Sequence, residues 1–326
     1  MTARPFPDRA NLTLCFAHVA YRLGERFAAR NAGIRFLEVR SLDDLTARIA
    51  EADVLVVSGL WRNELLARAS KLRFIQSIGA GVDQFDRDAL RAHGIRLASA
   101  QGVNERAVAE HAMALILALM RHLPAARDNQ RRRHWRGMIS DQAQREDELG
   151  GKTLLIVGLG RIGSRLAVLA RAFGLRVIAT KRNPAAGAAA ADLVVNDGRL
   201  AEVLPQADIV ALTCPLTPQT EKLIGAAALA AMKPSAYLVN VARGRVVDEP
   251  ALIAALEAGR IAGAALDCTV EEPLPDASPL WSFDNVLITP HTAGETRRYE
   301  DNVLDILLEN LERLWRGQTE LKNQMV

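Results

Sequence analysis

The sequence predicts an α/β protein built from two doubly wound, mostly parallel sheets, and three observations carry that prediction. Short apolar runs alternate with amphipathic stretches over the first hundred residues. The alternation restarts near Thr153 and gives six further runs. The first of these leads directly into a glycine-rich turn. Strands that alternate with helices pair in parallel, because a parallel pair needs a long crossover that a helix supplies.

In the first series Leu12–Ala17 reads as a strand, Ala20–Asn31 as a helix, Arg35–Val39 as a strand and Leu42–Glu51 as a helix. Val54–Ser58, Phe74–Ile78 and Arg96–Ala98 are compact strand-like runs. Ala107, Ala109, Ala112, Leu115, Ile116, Leu119 and Met120 mark a helix that is apolar nearly all round, and therefore buried. The polar stretch Arg127–Gly150 reads as a connector. Within it the run Arg131–Arg136 has two readings: its arginines simply face water, or Trp135 or a neighbouring arginine reaches a cleft holding an anion. The second series is Thr153–Val157, Arg176–Thr180, Ile209–Leu212, Ala236–Val241, Ala262–Leu266 and Val286–Thr289. Arg297–Trp315 then has the spacing of an amphipathic helix that packs back onto earlier structure.

Length and composition exclude several classes. The 326 residues are enough for two domains. The formal charge, 41 − 38 = +3, is too small to imply a nucleic-acid partner. Cys15, Cys214 and Cys268 form no CxxC pair, and the six histidines show no HxxxH or HExxH spacing, so no metal site is expected. The N-terminus lacks the apolar core of a signal peptide. The apolar helix is too short for a membrane span and is interrupted by Glu110 and His111. A reduced, cytoplasmic protein without a membrane partner is the expectation.

The glycine turn is GxGxxG at Gly158, Gly160 and Gly163, between an apolar strand and a helix. That context suits a dinucleotide pyrophosphate, which needs a tight turn, close backbone approach and the free N–H groups of a helix start. An NAD site would end the next strand in Asp or Glu, but no acidic residue occurs between Gly163 and Asp192. Lys181 and Arg182 stand there instead. Cations attract a 2′-phosphate that a carboxylate would repel. NADP(H) is therefore expected over NAD(H), which remains an option; the plainer reading is two solvated surface cations.

Taken together, IGAGVDQFD (Ile78–Asp86), NERAVAEHAMALILA, VGLGRIG, CPLTPQTEKLI, MKPSAYLVNVARGRVVDEPAL, AGAALDCTVEEPLP and ITPHTAG resemble the D-isomer-specific 2-hydroxyacid dehydrogenase family. Because of the TKR strand end, the NADP-preferring glyoxylate and hydroxypyruvate reductases are the members it most resembles. The resemblance implies a Rossmann cofactor domain, 103–294, inserted into a flavodoxin-like substrate domain, 1–102 plus 295–326. It also implies a homodimer built through the cofactor domains. The helix Ala107–Met120 and the arm after it would suit that interface, with a core helix as the alternative.

The resemblance assigns three catalytic residues. Arg243, ending a strand, would grip the carboxylate and carbonyl of a 2-oxo acid with its planar fork of donors. His291 would be the acid/base. Glu272, rather than Glu271, would hold the imidazolium and raise its pKa. The neighbouring Cys268 and Thr269 depart from the family, which usually has an aromatic or apolar pair there. Arg245 falls outside the family position, and His111 reads as an ordinary satisfied histidine. Gly79, Ala80 and Gly81 would present backbone N–H groups to the substrate carboxylate, although an ordinary tight turn is the alternative. Around the cofactor the resemblance adds Leu159, Arg161 and Ile162 in the turn, with Cys214 and Pro215 on the adenine side. Asp267 would meet the nicotinamide carboxamide, and Ala242, Arg243, His291 and Gly294 complete the set. Leu60, Trp61, Trp135 and Trp281 are unranked candidates for the side-chain pocket.

The implied activity is reduction of a glyoxylate- or hydroxypyruvate-like 2-oxo acid to the D-2-hydroxy acid. The alternative is a dinucleotide-sensing, corepressor-like binding protein, for which the sequence offers no recruiting tail. A formate dehydrogenase is disfavoured, because Glu272 stands where that group carries glutamine.

Overall fold

The computed structural model describes residues 6–188 and 190–326. The first five residues of the N-terminal stretch read above lie outside them. The chain divides into two compact units, one running up to Asn104 and including Thr296–Val326, the other spanning Glu105–Glu295.

The first unit contains β1 (Thr13–Ala17), α1 (Leu23–Ala28), β2 (Arg35–Val39), α2 (Leu42–Arg48), β3 (Val54–Val57), β4 (Phe74–Ser77), α3 (Arg87–Ala92) and β5 (Arg96–Ala98). Its sheet has the order β2-β1-β3-β4-β5 with every pair parallel. That is the flavodoxin-like order. Strands β1, β3 and β4 are buried throughout, as expected of parallel strands covered on both faces. α1 is shorter than the expected Ala20–Asn31. The ring Nδ1 of His18 accepts from the N–H groups of Ala20 and Tyr21, which holds the chain in a turn before the helix can start. At the other end Asn31 takes φ +49° and stops it.

The C-terminal helix, Tyr299–Trp315, belongs to this unit. It buries Val303, Leu304, Leu307 and Leu311 among Leu14, Phe16, Phe27 and Phe74. Asn310 is fully buried on it, donating to Gln76 Oε1 at 3.0 Å and accepting from Lys322 N at 2.7 Å. Both of its polar ends are thus satisfied, as burial demands.

The second unit contains α4 (Glu105–Met120), α5 (Leu123–Arg131), β6 (Thr153–Val157), α6 (Arg161–Ala172), β7 (Arg176–Lys181), β8 (Leu193–Asn196), α7 (Leu200–Val203), β9 (Ile209–Leu212), α8 (Ala226–Ala231), β10 (Tyr237–Asn240), α9 (Glu249–Glu257), β11 (Gly263–Leu266) and β12 (Val286–Ile288). Its parallel sheet has the order β12-β11-β10-β9-β6-β7-β8. The order reverses between β6 and β9, the switch point at which open α/β sheets bind ligands. The sheet has seven strands where the sequence reading gave six. The extra one, β8, is a four-residue edge strand, Leu-Val-Val-Asn, with only Val195 buried, and its apolar run of three is too short to stand out.

α4 packs against Leu166, Ala167 and Ala170 of α6 and against Ile156, Val239 and Ala265 of the sheet. Of the two readings of this helix, the core helix is the observed one. The stretch expected as a connector begins inside α5, and beyond it Arg132, Arg133, His134, Trp135 and Arg136 face solvent. No helix is long and apolar enough to cross a membrane, and no cluster of three metal-ligating side chains occurs among the described residues.

Candidate active site

Three glycines shape the β6–α6 turn in different ways. A Cβ on Gly158, at φ +101°, would lie 2.7 Å from the Cys214 backbone. One on Gly163 would lie 2.5 Å from Gly158 O. Both positions are closed to any side chain. Gly160 caps α6, and a Cβ there would meet nothing within 4 Å. The open space lies at the N-terminus of α6, whose first-turn N–H groups have no partner within the helix. This cradle fits a dinucleotide pyrophosphate. Thr213 Oγ1 donates to Gly158 O at 2.8 Å, Gly158 N donates to Thr180 Oγ1, and Leu159 N donates to Thr180 O, so the turn is clamped from both neighbouring strands.

The other cofactor candidates surround this turn. Leu159 has its side chain in the core, whereas Arg161 is exposed and pairs with Glu105 at 3.8 Å. Ile162 is half-buried. Lys181 ends β7 and donates to Gly187 O at 3.0 Å, with Arg182 exposed beside it. The next acid along, Asp192, is held by Arg171 and Val177 N. Cys214 is buried, and desolvation pushes its thiol up to about 11, so it packs as a neutral group next to exposed Pro215.

Beyond β10, Asn240 is fully buried and fixes the loop that carries Arg243. Its Oδ1 accepts from Ala242 N at 3.0 Å and its Nδ2 donates to Arg243 O at 2.9 Å. A Cβ on Gly244 would sit 2.0 Å from the Thr269 backbone, so only glycine lets the two loops touch. Arg243 donates to Ala242 O at 2.8 Å. Arg245 faces outward and pairs with Glu221.

Glu272 and His291 are brought together from separate loops. His291 Nδ1 lies 2.7 Å from Glu272 Oε2, while Glu272 Oε1 accepts from Thr269 N at 3.1 Å. Glu271 is exposed and offers only its carbonyl, to Thr269 Oγ1. Cys268 and Thr269, the departure from the family pattern, are buried, with Cys268 Sγ pointing at Asn240 O. His291 stands at φ +56°, a conformation non-glycine residues adopt rarely and often at functional sites.

The hydrogen bond to Glu272 raises the His291 pKa against the opposing effect of burial, and Arg243 acts against protonation. Burial works to raise the Glu272 pKa, but the bond and charge of His291 outweigh it and the carboxyl titrates low. An ionised Glu272 only accepts, so Nδ1 carries a proton. Nε2 is left for a ligand.

The loop Gly79–Gly81 lies in the first unit, after β4. Gly79 O is pinned by Ser77 Oγ and Ala100 N, and the N–H groups of Ala80 and Gly81 meet no protein acceptor among the described residues. Of the side-chain pocket candidates, Trp61 is withdrawn: it is 1% exposed in the core of its unit and donates to Asn63.

Comparison with known proteins identifies the family. Residues 113–293, more than half of the chain, match the model of the D-isomer specific 2-hydroxyacid dehydrogenase NAD binding domain. The chain belongs to the D-isomer specific 2-hydroxyacid dehydrogenase family. It is 37% identical over 281 residues to a glyoxylate reductase of Aeropyrum pernix, covering 85% of this chain and 84% of that one. It is 36% identical over 281 residues to a D-3-phosphoglycerate dehydrogenase of Methanocaldococcus jannaschii, covering 85% of this chain and 52% of the relative. The chain thus spans about half the length of the phosphoglycerate dehydrogenases it matches. Among solved structures it resembles an NADPH-dependent glyoxylate/hydroxypyruvate reductase from Sinorhizobium meliloti, in complex with NADP and malonate. The TM-score there is 0.82 at 28% identity, covering 97% of each chain.

In this family member, sequence reasoning missed several of the groups that hold the site. Asn240 was legible as a lone amide ending an apolar strand. Thr213 and Thr180 gave no signal, because their partners are backbone atoms on other strands. Asp267 is 2% exposed and accepts from Thr289 Oγ1, Thr292 N and Ala293 N; Ala242 is buried and Gly294 half-buried. Thr289 is itself bonded to His111, which is therefore a satisfied histidine.

Proposed function

We propose that the protein reduces a small 2-oxo acid of the glyoxylate or hydroxypyruvate type to the D-2-hydroxy acid, using NADP(H) in preference to NAD(H). The observation that carries the reading is the His291–Glu272 hydrogen bond of 2.7 Å, with Nε2 free and Arg243 close enough to act on both groups. The nicotinamide, when bound, supplies hydride to the carbonyl carbon. Arg243 binds the carboxylate and carbonyl oxygens of the acid through its guanidinium fork. In the first unit, Gly79–Gly81 is the segment proposed for substrate binding, its Ala80 and Gly81 N–H groups having no protein acceptor among the described residues. His291, doubly protonated and held by Glu272, gives its Nε2 proton to the carbonyl oxygen. In the oxidative direction the neutral ring takes that proton back. Gly158 to Gly163, with Cys214 and Pro215, hold the dinucleotide, and Asp267 binds the carboxamide. The substrate domain is assigned to 1–102 plus 295–326 and the cofactor domain to 103–294.

Loss of absorbance at the nicotinamide band, over a panel of 2-oxo acids with each reduced dinucleotide, tests the activity. Turnover of glyoxylate or hydroxypyruvate is expected, and an inert panel with a folded protein refutes the reading. The cofactor preference rests on Lys181 and Arg182 at the end of β7, where no carboxylate stands. Replacing both by alanine is expected to lower kcat/KM with NADPH by about 10- to 100-fold relative to NADH, the worth of lost charge-assisted hydrogen bonds to a phosphate. An unchanged NADPH/NADH ratio contradicts the assignment.

We assign the protein a homodimer and a reducing, cytoplasmic setting. Leu123, Trp135 and Met138 expose large apolar side chains on the arm after α4, and such patches commonly mark interfaces. All three cysteines are free and buried. Light scattering is expected to give twice the 35.5 kDa chain mass, with Trp135→Glu combined with Met138→Glu shifting it to one; a wild-type monomer defeats the assignment.

A further inference from the structure

The geometry points to His111 as a positioning residue for the dinucleotide carboxamide, acting through Thr289 and Asp267; the inference rests on the dehydrogenase reading above. His111 lies in the middle of α4, in a segment whose neighbours Val108, Ala109, Ala112 and Leu115 are all core residues. A polar ring there needs a partner to offset its desolvation. Its Nε2 is 3.0 Å from Thr289 Oγ1 and 3.4 Å from Asp267 Oδ1.

Proton counting fixes the direction of this chain. Asp267 Oδ1 is an acceptor, since the backbone N–H groups of Thr292 and Ala293 both donate to it. Thr289 has one hydroxyl proton, and its 2.7 Å contact with Asp267 Oδ1 uses it. Thr289 can then only accept from His111, so Nε2 carries a proton. Three donors, from Thr289, Thr292 and Ala293, converge on Asp267 Oδ1, whereas among the described residues Oδ2 receives only the shared N–H of Ala293 at 3.1 Å. The crowded oxygen sets the plane of the carboxylate, and the other keeps lone pairs for an incoming amide N–H. Removing the His111 donor frees the Thr289 hydroxyl to turn, and Asp267 Oδ1 loses one of the three donors that hold it. The same loop carries His291, whose N–H donates to Thr289 O at 2.9 Å.

The test compares the reduced dinucleotide with its 3-acetylpyridine analogue, which has no carboxamide N–H, by fluorescence titration and steady-state kinetics. Wild type is expected to bind the carboxamide form more tightly. His111→Ala is expected to raise Kd and KM for that form about tenfold, in keeping with loss of a hydrogen bond to a charged group. Its kcat is expected to change much less, and its affinity for the analogue not at all. His111→Gln, which keeps an N–H donor, is expected to restore most of the loss, and Thr289→Val to reproduce the selective defect should His111→Ala fail to fold. Equal weakening of both dinucleotides, or of neither, overturns the inference while leaving the enzyme reading intact. A wild type that binds both equally removes the role of Asp267, and with it this inference. A wild type that binds neither overturns the dehydrogenase reading and the inference together.

Discussion

His291→Ala is expected to lower kcat by at least about a hundredfold, the lower end for a lost general acid, with little change in melting temperature. His291 is exposed at its functional edge and its one side-chain bond is to Glu272, so truncation removes a proton donor without opening the core. The pH profile gives a sharper check. Glu272 raises the His291 pKa, and reduction needs the protonated ring. The rate should therefore hold at low pH and fall as pH rises through that raised value, above the ordinary histidine value. Oxidation needs the neutral ring and should rise over the same interval. Glu272→Gln removes the carboxylate, so the descending limb should move to lower pH. A limb that stays in place would mean that another group donates the proton.

Arg243→Ala is expected to lower kcat/KM for the 2-oxo acid by about thirtyfold or more, since truncating one partner of a hydrogen-bonded charge pair costs upwards of about 2 kcal/mol. Arg243→Lys should recover only part of this, because an ammonium keeps the charge but not the paired donors. The backbone at this position is fixed independently of the side chain, by both ends of the Asn240 amide and by the close passage of Gly244 over Thr269. A folding defect is thus not expected. Steady-state kinetics at several substrate concentrations, with the dinucleotide saturating, decide the matter; an unaltered kcat/KM would remove Arg243 from the site.

Much of the second unit was legible because its strands are buried on both faces and read as unbroken apolar runs. β6, β9, β10 and β11 fall where those runs are. β8 was not legible, since its apolar run is only three residues long. The shortened α1 was not legible either, because a ring nitrogen of His18 capturing two backbone N–H groups leaves no periodic trace. In the site, the glycine spacing was readable because a missing Cβ is a property of the residue itself. The choice between Glu271 and Glu272 came from resemblance to a family, whereas the hydrogen bond to His291 is a fact of the fold.

The chain by itself determined the two β/α series, the glycine turn, the lack of a carboxylate between Gly163 and Asp192 and the residue types available for acid/base work. These follow from composition and short-range order, which every residue carries wherever it ends up. Only tertiary structure decided which side chains meet: Glu272 with His291 across 19 positions, Asn240 with the Arg243 loop, and His111 with Thr289 across 178. Such meetings depend on strand register and loop closure, set by the packing of the whole unit and by no local stretch of sequence.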